Sequence, residues 1–128
     1  MMIYSSKAKG DKGEQIACEF LQKNGFRILA RNYLKKWGEI DIVAEKDKIV
    51  QFFEVKSISA DFDHLNKGHR PEDNVHNLKL RRLRRTIETY LSETGRGLDA
   101  EFLFHVLCVF MDGKKQVARV KWIENVIL

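Results

Sequence analysis

The sequence predicts a mixed α/β layer protein with a mainly antiparallel sheet. Three observations carry that prediction. Apolar residues recur at helical spacing near residues 11–24 and 73–94. Shorter runs rich in β-branched and aromatic residues lie between and after them, giving the order helix, three strands, helix, two strands. The polar breaks Glu45-Lys46-Asp47-Lys48 and Asp112-Gly113 are short enough to join antiparallel neighbours.

The first helix carries Gly13, Ile16, Ala17, Phe20 and Leu21 as its apolar stripe, and Asn24-Gly25 is a C-terminal stop. Glu14 lies at the margin of that stripe, where a carboxylate can lean toward whatever the helix packs on. Strands follow over residues 26–33, 39–44 and 49–56, with Leu34-Lys35-Lys36-Trp37-Gly38 as a loop. Residues 57–73 are polar and hold the only proline, Pro71; a loop of that length is often functional or mobile. The second helix turns Val75, Leu83, Ile87, Tyr90 and Leu91 to the core and ends at Gly95 and Gly97. Residues 100–111 form a strongly apolar strand, and residues 116–122 return as the last one. The apolar C-terminal stretch, residues 123–128, either closes the core or forms an interface, as in a homodimer.

A chain of 128 residues suits a single domain over residues 1–128. It buries roughly two-thirds of its unfolded surface, enough for a core without disulfides or metal staples. Hydrophobic residues at 44% and charged residues at 32% exclude a disordered chain. The net charge of +5 suits a polyanionic partner without requiring one. Cys18 and Cys108 form no CxxC pair, which removes zinc clusters and a disulfide framework. The N-terminal stretch lacks the apolar core of a signal peptide, and the most apolar run is too short for a membrane helix and contains His105. The expected location is cytoplasmic, with no membrane partner.

Chemistry concentrates on the second and third strands. Pairing Ala44 with Ile49 sets Asp41 opposite Phe52 and Glu39 opposite Glu54. Asp41, Glu39, Glu54 and Lys56 then share one face, and Ile40, Ile42, Phe53 and Val55 share the other. Diagonal cross-strand neighbours lie about 7–8 Å apart, so one cation can touch both Asp41 and Glu54. A slip of one residue would destroy the arrangement. Clustered carboxylates call for a cation between them, and a hard divalent ion such as magnesium or manganese is the usual occupant. It can activate water against a phosphodiester, while a neighbouring lysine stabilises the developing charge. An acid-x-lysine triplet arises about once by chance in a chain of this size. Asp112-Gly113-Lys114 is such a case, read as a turn, and Glu54 with Lys56 alone would fit a salt bridge on a wet sheet face. Asp41, Glu39 and Glu14 tilt the reading to a site.

These residues resemble the YraN-like family of small bacterial proteins. The resemblance runs from about Lys12 to Leu91, through "KGEQIACEFLQKNGFRILARNY", "GEIDIVA", "FFEVK" and "HNLKLRRLRRTIETYL". That family is similar to archaeal Holliday junction resolvases of the PD-(D/E)XK, restriction-endonuclease-like group. The resemblance implies a three-layer α/β/α core with a central mixed five-stranded sheet. It implies Asp41 and Glu54 as metal ligands and Lys56 as the catalytic lysine, with Glu14 as the helical acid that completes the site. Glu39 matches the acid of the family's "GEID", and Lys79 matches a lysine opening the second helix. The chain departs from the pattern at Ser57-Ile58, where an arginine is frequent, and at His105, where an aspartate is usual.

The run from Lys79 through Arg81, Arg82, Arg84 and Arg85 carries five positive charges and no acid. If all five met phosphates, log K would fall with log salt at a slope of about −4.5. A solvated helix face is the equal alternative, although Lys79 lies in line with the core stripe. His64, His69 and His76 fit no standard zinc spacing. Tyr33 and Trp37 either stack on bases or pack at the strand edge. The favoured expectation is a magnesium- or manganese-dependent endonuclease acting on DNA, branched or flapped. The alternatives are a nucleic-acid-binding module that keeps the fold without the chemistry, and a partner-binding protein using its C-terminus.

Overall fold

The computed structural model describes residues 6–59, 77–113 and 117–128. Its elements are α1 (Ser6–Lys23), β1 (Arg27–Lys35), β2 (Gly38–Lys46), β3 (Ile49–Ser59), α2 (Asn77–Glu93), β4 (Phe102–Asp112) and β5 (Val117–Ile123). Helix α1 begins before Asp11, because an interior Gly10 costs only about 1 kcal/mol and does not stop a helix. It ends as the Asn24-Gly25 signal predicts. Gly25 sits at φ 87°, its N–H bonds to Gln22 O at 3.1 Å, and the Phe26 N–H reaches back to Leu21 O at 3.0 Å. This is a Schellman cap with Phe26 and Leu21 buried in one cluster. Helix α2 ends the same way at Gly95, φ 75°, with Arg96 N bonded to Leu91 O at 2.9 Å.

The five strands lie in sequence order, antiparallel except for β3 beside β4. A parallel neighbour needs a crossover, and α2 lies within that connection. One core joins Ile40, Phe52 and Phe104 to Leu83, Ile87 and Leu91 of α2. The other joins Ile42, Phe53 and Leu107 to Ala17, Cys18 and Leu21 of α1. The helices therefore cover opposite faces of a mixed sheet, giving the three-layer α/β/α architecture. Val126 and Leu128 pack against the α2-side core, and Val126 N–H bonds to Phe104 O at 2.8 Å. The C-terminal stretch thus closes the core of its own chain, leaving Ile127 exposed.

Three local expectations are corrected. Leu34 and Lys35 belong to β1 and Gly38 to β2, so the expected loop shrinks to a turn at Lys36-Trp37. The β2–β3 turn is a two-residue one, with Asp47 and Lys48 at φ 54° and 68°, the backbone of a type I′ hairpin. Consequently Lys46 pairs with Ile49 and Ala44 with Gln51, a two-residue shift from the expected Ala44–Ile49 pairing. Ser57–Ser59 extend β3. The rest of the expected polar loop, including His64, His69, Pro71, Val75 and His76, lies outside the described residues.

Candidate metal centre at the parting of two strands

A two-residue shift preserves strand parity, so the faces should stand as expected. They do not, because β2 reverses its alternation. Ile40 packs with α2 whereas Ile42, two residues on, packs with α1. The reversal is shared by β1. Tyr33 pairs with Ile40 and Arg31 with Ile42, and Asn32 between them takes φ 52°. Asparagine is among the few non-glycine residues that tolerate this left-handed backbone.

Asp41 stands at the reversal, where β2 and β3 part beyond the Ile42–Phe53 pair. Its Oδ2 accepts the Val55 N–H at 2.7 Å, a carboxylate in place of a ladder partner. Glu54 follows Phe52 to the α2 side of β3, as does Lys56. The expected single face holding Asp41, Glu39, Glu54 and Lys56 is therefore replaced. Asp41 lies at the seam between strands, with Glu54 and Lys56 toward one layer and Glu14 coming from the helix of the other.

Two glycines bring the helices close. A Cβ on Gly13 would run into the Ser57 side chain, so α1 lies almost on β3 one residue before Glu14. A Cβ on Gly38 would stand 3.2 Å from the Arg82 carbonyl oxygen and against the Thr86 hydroxyl, which holds α2 against β2. Ser57 faces α1 at near contact.

Asp41, Glu39, Glu54, Lys79 and Arg82 line a single cleft of about 1050 Å³, together with Leu34, Trp37 and Leu83. Glu54 is only 7% exposed. Its Oε1 meets the Lys79 ammonium and, at 3.5 Å, that of Lys56, whereas its Oε2 is buried without a hydrogen-bond partner. Burial pushes the Asp41 carboxyl up to about 7, outweighing the Val55 hydrogen bond, with Glu14, Glu54 and Glu39 adding to the rise. Burial likewise raises Glu14, against a hydrogen bond from Asn32 and the charge of Arg31, which stands 3.7 Å away. Lys56 is pulled down by burial and by Lys79. Lys79 is pulled down by burial too, but its hydrogen bond and attraction to Glu54 carry it upward on balance.

Asn32 was not among the expected site residues. With its amide nitrogen toward the acids, it donates to Glu14 Oε1 at 3.1 Å and Glu39 Oε1 at 3.2 Å. It thus ties the acid of α1 to that of the hairpin. The one sequence cue was an asparagine within a strand, a residue type otherwise depleted there.

The basic run divides. Lys79 turns into the cleft and Arg82 lines its wall. Arg85 covers the Trp37 ring at 4.1 Å, so Trp37 packs under a guanidinium at the cleft edge. Arg84 is held by Glu88 at 3.1 Å and by the Leu128 oxygen at 3.2 Å. Arg81 is exposed. Tyr33 packs edge-on against Tyr90 within the core and offers no face for a base.

Among the described residues, no three His, Cys, Asp or Glu side chains are drawn together tightly enough to hold a metal ion. The donors present still fit a hard divalent cation. Magnesium keeps most of its waters and binds through one or two carboxylates plus substrate phosphate. Asp41 and Glu54 would supply those two, and the orphaned Glu54 Oε2 is a buried lone-pair donor lacking a positive partner.

A model of the Uncharacterised protein family UPF0102 matches residues 13–111. The sequence is 37% identical over 125 residues to a UPF0102 protein of Campylobacter lari, spanning 98% of each chain. It is 39% identical over 123 residues to one of Sulfurovum sp., spanning 95% of this chain and 96% of that one. Against one of Vibrio parahaemolyticus it is 32% identical over 127 residues, spanning 99% and 98%. Among solved structures, an XisH family protein from Nostoc punctiforme aligns with 87% of this chain and 98% of its own, at 14% identity and TM-score 0.36. An fdxN element excision controlling factor protein from Anabaena variabilis covers 88% and 98%, at 13% identity and TM-score 0.40. No helix among the described residues is long and apolar enough to cross a membrane.

Proposed function

The chain belongs to UPF0102, the group its "GEIDIVA" and "FFEVK" motifs resemble, and we propose that it is a metal-dependent endonuclease hydrolysing DNA phosphodiesters, with branched or flapped DNA as favoured substrates. The observation that carries this reading is the buried, unpartnered Glu54 Oε2 in a cleft that Asp41, Lys79 and Arg82 also line. A fold gains nothing from burying a carboxylate oxygen without a partner, which costs about 1–3 kcal/mol or more. Such a cost is retained where a ligand repays it.

Asp41 and Glu54 would hold the cation, with Glu14 adding to the acidic surround and Glu39 steadied by Asn32. Magnesium or manganese bound there supplies Lewis acidity, lowering the pKa of a coordinated water and screening the phosphate charge. Lys56 offers its ammonium to the charge that develops on the phosphate as the bridging P–O bond breaks. The Val55 N–H fixes the Asp41 carboxylate before substrate arrives, so no reorganisation is needed at the moment of reaction. Arg82 and Arg81 meet flanking phosphates.

Cleavage of four-way, flapped and linear DNA by the wild type, Asp41→Asn and Glu54→Gln, with manganese and with magnesium, tests the proposal. Each variant should lose at least about a hundredfold in rate. Equal inertness of all three proteins on every substrate would sink it. Salt-sensitive DNA binding that survived in all three would then identify a module that keeps the fold and binds without cutting.

A further inference from the structure

Lys79 carries a role that neither the basic helix nor the metal reading assigns to it. It stands in the first described turn of α2, but its ammonium is spent on Glu54 Oε1 inside the cleft. Lys56 reaches the same oxygen from β3 at 3.5 Å. Two cations converge on one oxygen while the other oxygen has no partner. A structural salt bridge of two lysines and one carboxylate would divide them over both oxygens. Crowding on Oε1 leaves Oε2 buried and unpartnered in a cleft that Asp41 also lines, the arrangement expected if an ammonium holds a place that a stronger cation takes. An ammonium is a compact, strongly hydrated point charge with three donors, and among side chains it is the nearest stand-in for a hard metal ion.

We propose that Lys79 is the resident counter-ion of this cleft, holding Glu54 until a divalent cation binds and then yielding it and turning to the substrate phosphate. The inference rests on the metal-centre reading above and concerns the same site. The side chain can make the move. It is 40% exposed, its four-carbon stem rotates freely, and the helix beneath is fixed independently by Leu83, Ile87 and Leu91. Lys56 has less of this freedom, because it is paired with Cys108 of β4 and its side chain is only 25% exposed. Lys79 is accordingly a positioning residue. It keeps Glu54 oriented without the ion, and its departure couples ion binding to a free positive charge at the cleft wall.

The test is calorimetric titration of the full chain with manganese chloride, paired with urea unfolding in the absence and presence of the metal. The proteins are wild type, Lys79→Met, Lys79→Arg and Glu54→Gln. Lys79→Met keeps the stem and removes the competitor, so it should bind manganese about 10-fold tighter than wild type. It should also unfold at lower urea without metal, with the deficit abolished at saturating manganese. Lys79→Arg grips a carboxylate through two parallel donors and should bind manganese more weakly than wild type. Manganese affinity in Lys79→Met equal to or below wild type, with Glu54→Gln abolishing binding, overturns the proposal and leaves the metal centre intact. Absence of manganese binding in all four proteins, with and without branched DNA, overturns the metal reading itself. Weaker DNA binding by Lys79→Met at unchanged manganese affinity would make Lys79 a plain phosphate contact, and also overturns the proposal.

Discussion

Gln51 and Glu54 lie three residues apart on the same strand, each only 7% exposed, and the structure treats them in opposite ways. Gln51 Oε1 and both ring nitrogens of His105 find partners. His105, 2% exposed, pairs its Nε2 with Gln51 Oε1 at 2.7 Å and accepts the Asn125 N–H on Nδ1 at 3.1 Å. An accepting Nδ1 requires the proton on Nε2, so the ring is neutral and donates to Gln51. Phe53 and Trp122 pack on it, with centroids 5.0 and 5.3 Å away. The residue standing where the family often has an aspartate is thus a structural histidine. Around Glu54 one oxygen is overcrowded and the other abandoned. One end of the strand uses buried polarity to fix the fold, and the other keeps it in reserve.

Mutation should separate the two ends most widely in stability. His105→Ala removes a packed ring and strands Gln51, and should cost about 3 kcal/mol in urea unfolding. Asp41→Asn retains an oxygen for the Val55 N–H while removing a crowded charge, and should be neutral or stabilising at pH 8. An equal loss in both variants would erase the distinction.

Acid–base behaviour sharpens the contrast. Burial pushes His105 down to about 4, so between about pH 4 and its unfolded value of 6.5 the unfolded chain binds more protons. Its contribution is complete above 6.5 and is lost as pH falls toward 4, up to roughly 3 kcal/mol. Asp41, pushed up to about 7 from 3.8, has the opposite sign. The folded chain binds the extra proton, and that contribution is lost as pH rises from about 4 through 7, by a few kcal/mol at most. Metal-free wild type should therefore show a muted pH dependence between about 4 and 6.5 and decline toward 7. Asp41→Asn should rise across that range and then level off. Superimposable urea midpoints for the two proteins against pH would refute the assignment.

Gly38→Ala should have a smaller effect, because the added methyl presses on the Arg82 carbonyl and lifts α2 slightly. We expect a loss of about 1–2 kcal/mol and slower DNA cleavage. Smallest of all should be the difference between two neighbouring arginines. Arg82→Ala should lower the salt slope of DNA binding by about 1. Arg84→Ala, already bound to Glu88 and Leu128, should leave the slope unchanged. Equal slopes in the two variants would place DNA elsewhere.

A run of β-branched and aromatic residues made β3 legible from its sequence, and apolar spacing with glycine stops did the same for both helices. Asp41, Glu54 and Lys56 were singled out by their motif, and the structure places Asp41 and Glu54 in one cleft. The register slipped because Asp47-Lys48 lacks the Asn-Gly or Asp-Gly signature of a type I′ turn, so four polar residues read as loop. The face reversal left still less trace. Alternation counted along β2 puts Ile40 and Ile42 together, and only the left-handed Asn32 on the adjacent strand reveals that they part. The inward turn of Lys79 depends on how closely Gly38 lets α2 approach, a distance that composition does not encode.

That reversal divides the β1–β2 hairpin into two bodies. Beyond it, the tip is keyed to α2 through Tyr33 on Tyr90, Lys35 on Glu93 at 2.6 Å, Trp37 under Arg85 and Gly38 against Arg82, with Asn32 as its tie to Glu14 of α1. Before it, Ile28, Ile42 and Ala44 belong to the layer of α1. Asp41 is the hinge pin between them. Asp41 thus takes its backbone position from the hairpin and its carboxylate orientation from Val55 of the neighbouring strand.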